Sequence, residues 1–238
     1  MTLSDLNLLE LHIDAAWTHD PDGRIRRVNE PDGGPAPRFY FGRTTEGNRW
    51  RFRHDVPPEA VHRLEQLAAS ESISYDLRAY PVNYEAFCDV LRLHGEVADT
   101  SFGPTYRFPA DISWPANAVA ITEANVELLG TLIPASDVHN VPRALPVRKP
   151  WIVVLEGGTG VASCFSSRLT ARAAHAGLWT DGAFQGRGYG SDATAAWACA
   201  VREMGRIPLY GTEWENLASQ GVARKLGLRM YASDLSLS

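Results

Sequence analysis

The chain has 238 residues, 45% of them hydrophobic and 21% charged, with a formal net charge of −5. This is enough apolar sequence for one large or two small globular domains, and the acidic balance argues against a nucleic-acid partner, which needs a dense basic face. Three cysteines, Cys88, Cys164 and Cys199, are odd in number and form no CxxC pair, so neither a disulfide framework nor a zinc site is expected.

No segment approaches the roughly 18 consecutive apolar residues of a membrane span, and Met1 to Ile13 lacks the basic and apolar regions of a leader. A cytoplasmic protein with no membrane partner is therefore expected. The acidic excess is confined to one part of the chain: residues 1–150 carry 15 Lys+Arg against 21 Asp+Glu, residues 151–238 carry 8 against 7. The second part can therefore hold an anion locally. Lysine is scarce, at Lys149 and Lys225 only, a bias that reads as codon composition.

In chain order, the turn-rich stretch Asn29 to Pro37 separates an N-terminal lead from a hairpin. Phe39-Tyr40-Phe41 and Trp50-Arg51-Phe52-Arg53 flank Thr44 to Asn48 and read as two strands, with Trp50 and Phe52 on one face and Arg51 and Arg53 on the other. After Pro57-Pro58, apolar residues at Ala60, Val61, Leu64, Leu67 and Ala68 predict a helix with proline in its first turn. A second helix is expected over Tyr84 to Leu93. Gly103 to Pro115, rich in proline and aromatics, reads as irregular and marks a boundary, giving an N-terminal α+β region over 1–112 and a second domain over 113–238. Within the second, Ala118 to Ile121 reads as a strand and Glu123 to Leu132 as a helix. Trp151 to Leu155 is a buried strand ended by Glu156-Gly157-Gly158, Gly160 to Ser166 is its partner, and Ala173 to Thr180 is a third strand.

The period then changes. Phe184-Gln185-Gly186-Arg187-Gly188-Tyr189-Gly190 is a glycine-rich turn, and Ala193, Ala196, Trp197, Ala200, Val201 and Met204 mark a helix face ended by Gly205. A glycine loop opening a helix exposes backbone N–H groups where the helix dipole favours an anion such as a pyrophosphate. A plain surface turn starting a helix would look the same. The nucleoside-triphosphate signature GxxxxGK[ST] is absent, because no Lys lies near Gly190, and the spacing Gly186-x-Gly188-x-Gly190 does not match the dinucleotide fingerprint GxGxxG.

What the loop does match is Q/R-x-x-G-x-G/A, and here the chain resembles the pyrophosphate loop of the GNAT N-acetyltransferase superfamily. The resemblance continues through a short strand, Ile207 to Thr212, into Asn216-x-x-Ser219-x-x-x-Ala223-x-x-x-Gly227-Leu228, the superfamily's second spacing. It covers roughly residues 116–238. It implies a mixed α+β GNAT-type fold, whose central sheet is mostly antiparallel with two splayed parallel strands, Ala173 to Thr180 and Ile207 to Thr212. It also implies acetyl-CoA as acyl donor and no metal. The pantetheine arm would pair with the strand edge at Leu178, Trp179 and Thr180. The pyrophosphate would lie on Gln185, Gly186, Arg187, Gly188, Tyr189 and Gly190, with Asn216 and Ser219 beside the arm.

Acetyl transfer from a thioester to an amine requires an unprotonated amine and a proton for the leaving thiolate. The family's usual acid, a Tyr seven residues after the Asn, is replaced here by Ala223. Tyr210 and Tyr231 are the alternatives, and Tyr210 is preferred as the acid. His175, on the strand entering the acyl site, has an imidazole whose ordinary pKa of about 6.5 suits a base; a partly exposed strand histidine is the plainer reading. Glu213, with Glu215 beyond Trp214, could receive a cationic amine or be a solvated loop charge. His54-Asp55 and His139-Asn140 lack a nucleophile or third ligand, and the Arg51/Arg53 face is read as solvated unless it walls an anionic substrate. The expected activity is transfer of an acetyl group from acetyl-CoA to an amine of an unidentified small molecule or protein, with a homodimer left open. The alternatives are a non-catalytic acyl-CoA-binding sensor, another acyl-CoA, or a hydroxyl acceptor.

Overall fold

The computed structural model of the protein describes residues 3–133 and 140–238. In chain order the elements are α1 (Asp5–Ala16), β1 (Trp17–His19), β2 (Ile25–Val28), β3 (Phe39–Thr44), β4 (Gly47–Phe52), α2 (Pro58–Ser70), α3 (Tyr84–Arg92), β5 (Thr100–Arg107), β6 (Ala118–Ala120), α4 (Val141–Arg148), β7 (Trp151–Glu156), β8 (Thr159–Leu169), β9 (Ala173–Thr180), α5 (Tyr189–Glu203), β10 (Ile207–Gly211), α6 (Leu217–Lys225) and β11 (Arg229–Leu237). They form two compact units that interleave in sequence. One contains residues 1–106, 211–216 and 230–238; the other contains 107–210 and 217–229. The expected division into 1–112 and 113–238 is consecutive, whereas these units exchange segments near the C-terminus.

In the first unit the strands run in the order β4-β3-β11-β5. Strands β3 and β4 form the expected hairpin, with Phe39 opposite Phe52 and Phe41 opposite Trp50, and β11 lies antiparallel to β3, pairing Leu235 with Phe41 and Leu237 with Phe39. Period-two alternation sends Phe39 and Phe41 to one face. There they pack with Leu64 of α2, Phe87 and Leu91 of α3, Phe102, Leu235 and Leu237; burial of each large side chain contributes about 1.5–3 kcal/mol. The other face receives α1: a Cβ on Gly42 would press on Leu9, and Tyr40 meets Trp17 edge-on at 4.7 Å.

Two features depart from the sequence reading, and a third bears on an alternative it left open. Residues 5–16 are a helix, capped by the Ser4 side chain, which accepts from the Asn7 N–H at 3.1 Å. The stretch from Gly103, expected to be irregular, is strand β5 as far as Arg107; Pro104 offers no donor but its carbonyl accepts from the Thr212 N–H at 3.2 Å, and a Cβ on Gly103 would collide with the Thr212 carbonyl. The Arg51/Arg53 face is not an open anion site, because Arg51 pairs with Glu10 and Arg53 with Asp55, both at 2.6 Å.

In the second unit the order is β6-β7-β8-β9-β10. All pairings are antiparallel except β9 with β10, so this sheet is mixed and mostly antiparallel as expected. Helix α5 packs on one face through Ala193, Ala196, Trp197 and Val201, all fully buried, and the Trp197 indole N–H donates to Ser166 Oγ at 3.2 Å. Met204, expected on this face, is exposed. The opposite face carries Trp151, Val153, Leu129 and Val141. The helix expected over Glu123 to Leu132 is instead a 3-10 segment, Val126–Leu132, broken by Gly130 at φ 43°. Asn125 closes a local turn by accepting from the Thr122 N–H at 2.6 Å, which competes with α-helix.

His19, half-buried at the end of β1, has its pKa lowered from 6.5, because burial outweighs the pull of Asp14. The unfolded chain therefore takes up this proton first as pH falls. The stabilisation is complete above about pH 6.5 and is lost as pH drops toward the folded pKa. In urea titrations, His19→Gln should flatten the pH dependence of the midpoint below pH 6.5; identical slopes in variant and wild type would remove His19 as the source.

Candidate active site

Strands β9 and β10 are parallel and pair only at Ile207↔Ala173, Pro208↔Ala174 and Leu209↔His175. The opposite edge of β9 pairs with β8 along its whole length, from Leu169↔Ala174 to Ala162↔Thr180. Beyond His175, residues 176–180 therefore have no strand partner on the β10 side among the described residues, and the N–H and C=O groups of alternate residues point to that side. Leu178, Trp179 and Thr180 occupy this edge. Leu178 and Thr180 are turned toward the start of α5, since a Cβ on Gly190 would lie 3.0 Å from Thr180 Oγ1 and 3.6 Å from Leu178 Cδ2. Trp179 is 59% exposed. His175 is at the foot of the gap, buried, with its carbonyl accepting from Ser167 Oγ at 3.2 Å. Alternation sets its side chain on the face of Gly177, where a Cβ would strike the Phe165 ring at 2.8 Å.

The glycine loop follows directly. Asp181 caps a 3-10 turn, Gly182–Phe184, by accepting from the Ala183 N–H at 2.9 Å, and Gln185 Nε2 donates to the Thr180 carbonyl at 3.4 Å. Gly186 at φ 75° and Gly188 at φ 97° are both left-handed, a conformation that favours glycine. Gly188 is the N-cap of α5, so the first-turn amides that follow have no intrahelical acceptor.

Two side chains that the sequence did not single out complete this corner. Glu156, in the β7–β8 turn, lies 3.8 Å from the Arg187 guanidinium and hydrogen-bonds the Tyr189 phenol, raising its pKa. Lys225, at the end of α6, sets its ammonium against Gly188 so closely that a Cβ there would collide with Nζ. Arg187 also lies over the Phe184 ring at 5.2 Å. No local pattern announces either contact, because each joins residues far apart in sequence.

Tyr210 ends the second unit's share of β10. It is buried, meets Phe108 edge-on at 6.4 Å, and donates its hydroxyl to the Ser219 carbonyl at 3.2 Å. Helix α6 ends as expected at Gly227, φ 62°, with the Leu228 N–H on the Ala223 carbonyl at 2.9 Å and the Gly227 N–H on that of Arg224 at 3.1 Å, which is a glycine-terminated C-cap. Ala223 is buried at 1% exposure. Asn216 and Glu213 belong to the first unit; both are exposed, and the Asn216 N–H donates to the Glu213 carbonyl at 3.2 Å. Tyr231 is fully buried there, and burial pushes its phenol pKa up. His139 lies outside the described residues. Among the described residues no group of three or more His, Cys, Asp or Glu is placed to hold a metal ion. Cys164, like Cys88, is a buried free thiol whose pKa is raised by burial.

A strand edge released from a short parallel pairing thus leads straight into a glycine loop and a helix N-terminus. Residues 135–229 match the model of the acetyltransferase (GNAT) domain family. Among solved structures, an acetyltransferase of the GNAT family from Colwellia psychrerythraea is similar at 12% identity, over 100% of this chain and 97% of that one, with a TM-score of 0.50. A GCN5-related N-acetyltransferase from Kribbella flavida aligns over 100% and 95% at 15% identity, with a TM-score of 0.49. No curated protein matches the chain. The likeness to the acetyltransferase (GNAT) domain family thus rests on residues 135–229, and the Colwellia protein shares the fold.

Tyr210→Phe removes one buried O–H···O bond and is expected to lower stability by about 1 kcal/mol. Urea denaturation reads this directly, and no change would mean that the hydroxyl contributes nothing to holding α6.

Proposed function

We propose that the protein transfers an acetyl group from acetyl-CoA to an amine of a small molecule or a protein. The observation that carries this reading is the three-residue pairing of β9 with β10, followed by an unpaired edge over 176–180 that runs into the Gly186/Gly188 loop. An acyl-pantetheine arm fits such an edge as an added strand, its amides bonding to Leu178, Trp179 and Thr180. The pyrophosphate fits the amides and positive dipole at the start of α5, on Gln185 to Gly190. Asn216 and Ser219 are assigned to the arm as in the family's second motif. Three free thiols suit a reducing compartment such as the cytoplasm.

In the reaction, the amine nitrogen attacks the thioester carbonyl, the C–N bond forms and the C–S bond breaks. The amine's proton must leave and the thiolate must gain one. His175, at the last paired position of β9, is assigned as the base that takes the first proton. The Tyr210 hydroxyl, next in the chain after the last paired residue of β10, is assigned to supply the second and to recover it from solvent. Glu213 is assigned to attract the cationic acceptor. Backbone N–H groups at the opening strands would stabilise the tetrahedral oxyanion.

Gly188→Val forces a branched side chain onto a left-handed residue and into Lys225. It should weaken CoA binding at least tenfold in calorimetry while the far-UV circular dichroism stays unchanged; unaltered affinity would show that the loop does not hold the donor. Thiol release from acetyl-CoA with a panel of amines tests turnover. His175→Ala should lower kcat on the order of a hundredfold and abolish the acid limb of its pH profile, whereas an intact limb would reassign the base. Because Ala223 stands at the usual acid position and the Tyr210 hydroxyl is already bonded, a second reading is a non-catalytic acyl-CoA sensor. CoA binding without thiol release for any amine would select it.

A further inference from the structure

The pyrophosphate loop holds one cation whose placement is unexplained by the fold. Arg187, the loop's own guanidinium, is turned toward Glu156, an exposed pairing of little energetic weight. Lys225, by contrast, projects from the last turn of α6 and seats its ammonium on Gly188, the N-cap of α5. Among the described residues it has no carboxylate partner. It is also one of only two lysines in the chain.

This arrangement is electrostatically unbalanced. The N-terminus of a helix carries roughly half a positive charge, spread over amides that lack acceptors. An ammonium placed against that end is a like charge in the same spot, and the two repel. Lys225 is exposed, so solvent weakens this repulsion, and an anion in contact with both turns it into attraction. Lys225 beside the C-cap of its own helix gains some dipole stabilisation there, but that requires only the last-turn position, which Arg224 shares, and not contact with Gly188.

We propose that Lys225 is a ligand of the donor's pyrophosphate, supplying from α6 the positive charge that the loop's amides lack, so that the diphosphate is held between Nζ and the start of α5. The inference rests on the acyl-CoA reading of the loop and adds a residue to it. It also assigns Gly188 a second requirement: besides its positive φ, the position must have no side chain because Nζ occupies that space.

The test is calorimetric titration of wild type, Lys225→Met and Lys225→Arg with three probes: CoA, dephospho-CoA, which keeps the pyrophosphate and lacks the 3′-phosphate, and S-acetyl-pantetheine, which lacks both. A charge-assisted contact to phosphate corresponds to a roughly ten- to hundredfold change in affinity. Lys225→Met should weaken CoA and dephospho-CoA by the same factor in that range, leave S-acetyl-pantetheine unchanged, and reduce the salt dependence of CoA binding, while Lys225→Arg restores most of the affinity. Melting of the ligand-free variants reports whether the helix survives, and the arginine variant keeps the test valid if methionine loosens α6. Wild-type affinity in Lys225→Met would overturn the inference and leave the CoA reading standing. Loss confined to CoA, with dephospho-CoA unaffected, would overturn it in favour of a 3′-phosphate contact. Failure of wild type to bind CoA would instead overturn the proposed function itself.

Discussion

The second unit is organised around a parallel strand pairing that stops early. Strands β9 and β10 share three register positions, after which β9 continues for five residues with one edge paired to β8 and the other without a strand partner among the described residues. An open row of N–H and C=O groups in a sheet interior carries a desolvation penalty unless something pairs with it. A parallel pair also needs a long crossover, and here that crossover is the glycine loop and α5. The same requirement that joins the two strands therefore delivers a helix N-terminus to the end of the open edge, so edge and glycine-capped helix start come from one topological constraint.

Much of this was legible in sequence. Strand β9 matches its expected bounds, because an alanine-rich run of eight residues ending in Leu178, Trp179 and Thr180 sits between a Thr-Ala-Arg turn and Asp181. The loop and α5 were legible because glycine spacing and a 3.6-residue period are strictly local signals. Helix α1 was not, because its outward stripe is only Asn7, Glu10 and Asp14 between the buried Leu8, Leu9, Leu11, Ile13, Ala15 and Ala16, a narrow polar face beside a wide apolar one. Strand β5 was hidden by Gly103 and Pro104, whose composition argues for a loop; the close backbone approach of Thr212 that makes glycine necessary is visible only in three dimensions. The 3-10 segment misled in the opposite sense, as Leu128, Leu129 and Leu132 have helical spacing that Gly130 interrupts.

At the site the division is similar. Motif residues could be placed by number because the spacing itself carries the information. Lys225 and Glu156 could not, because each acts on the loop from another element, and a lone charge at a helix end or in a hairpin turn looks like ordinary surface. Tyr210 falls between: its position on β10 was readable, while its bond to the Ser219 carbonyl depends on how α6 docks.

The exchange of segments between the units has a consequence for biosynthesis. Strand β11 supplies Leu235 and Leu237 to the core beneath Phe39 and Phe41, yet a ribosome makes it only after all of the second unit. An emerging chain thus exposes an aromatic strand whose neighbour does not yet exist, and closing the first unit requires contacts of very high sequence separation, which form slowly. The second unit can condense while the first is still waiting for its final strand. During that interval the uncovered edge of β3 is the part of the molecule most in need of protection from self-association.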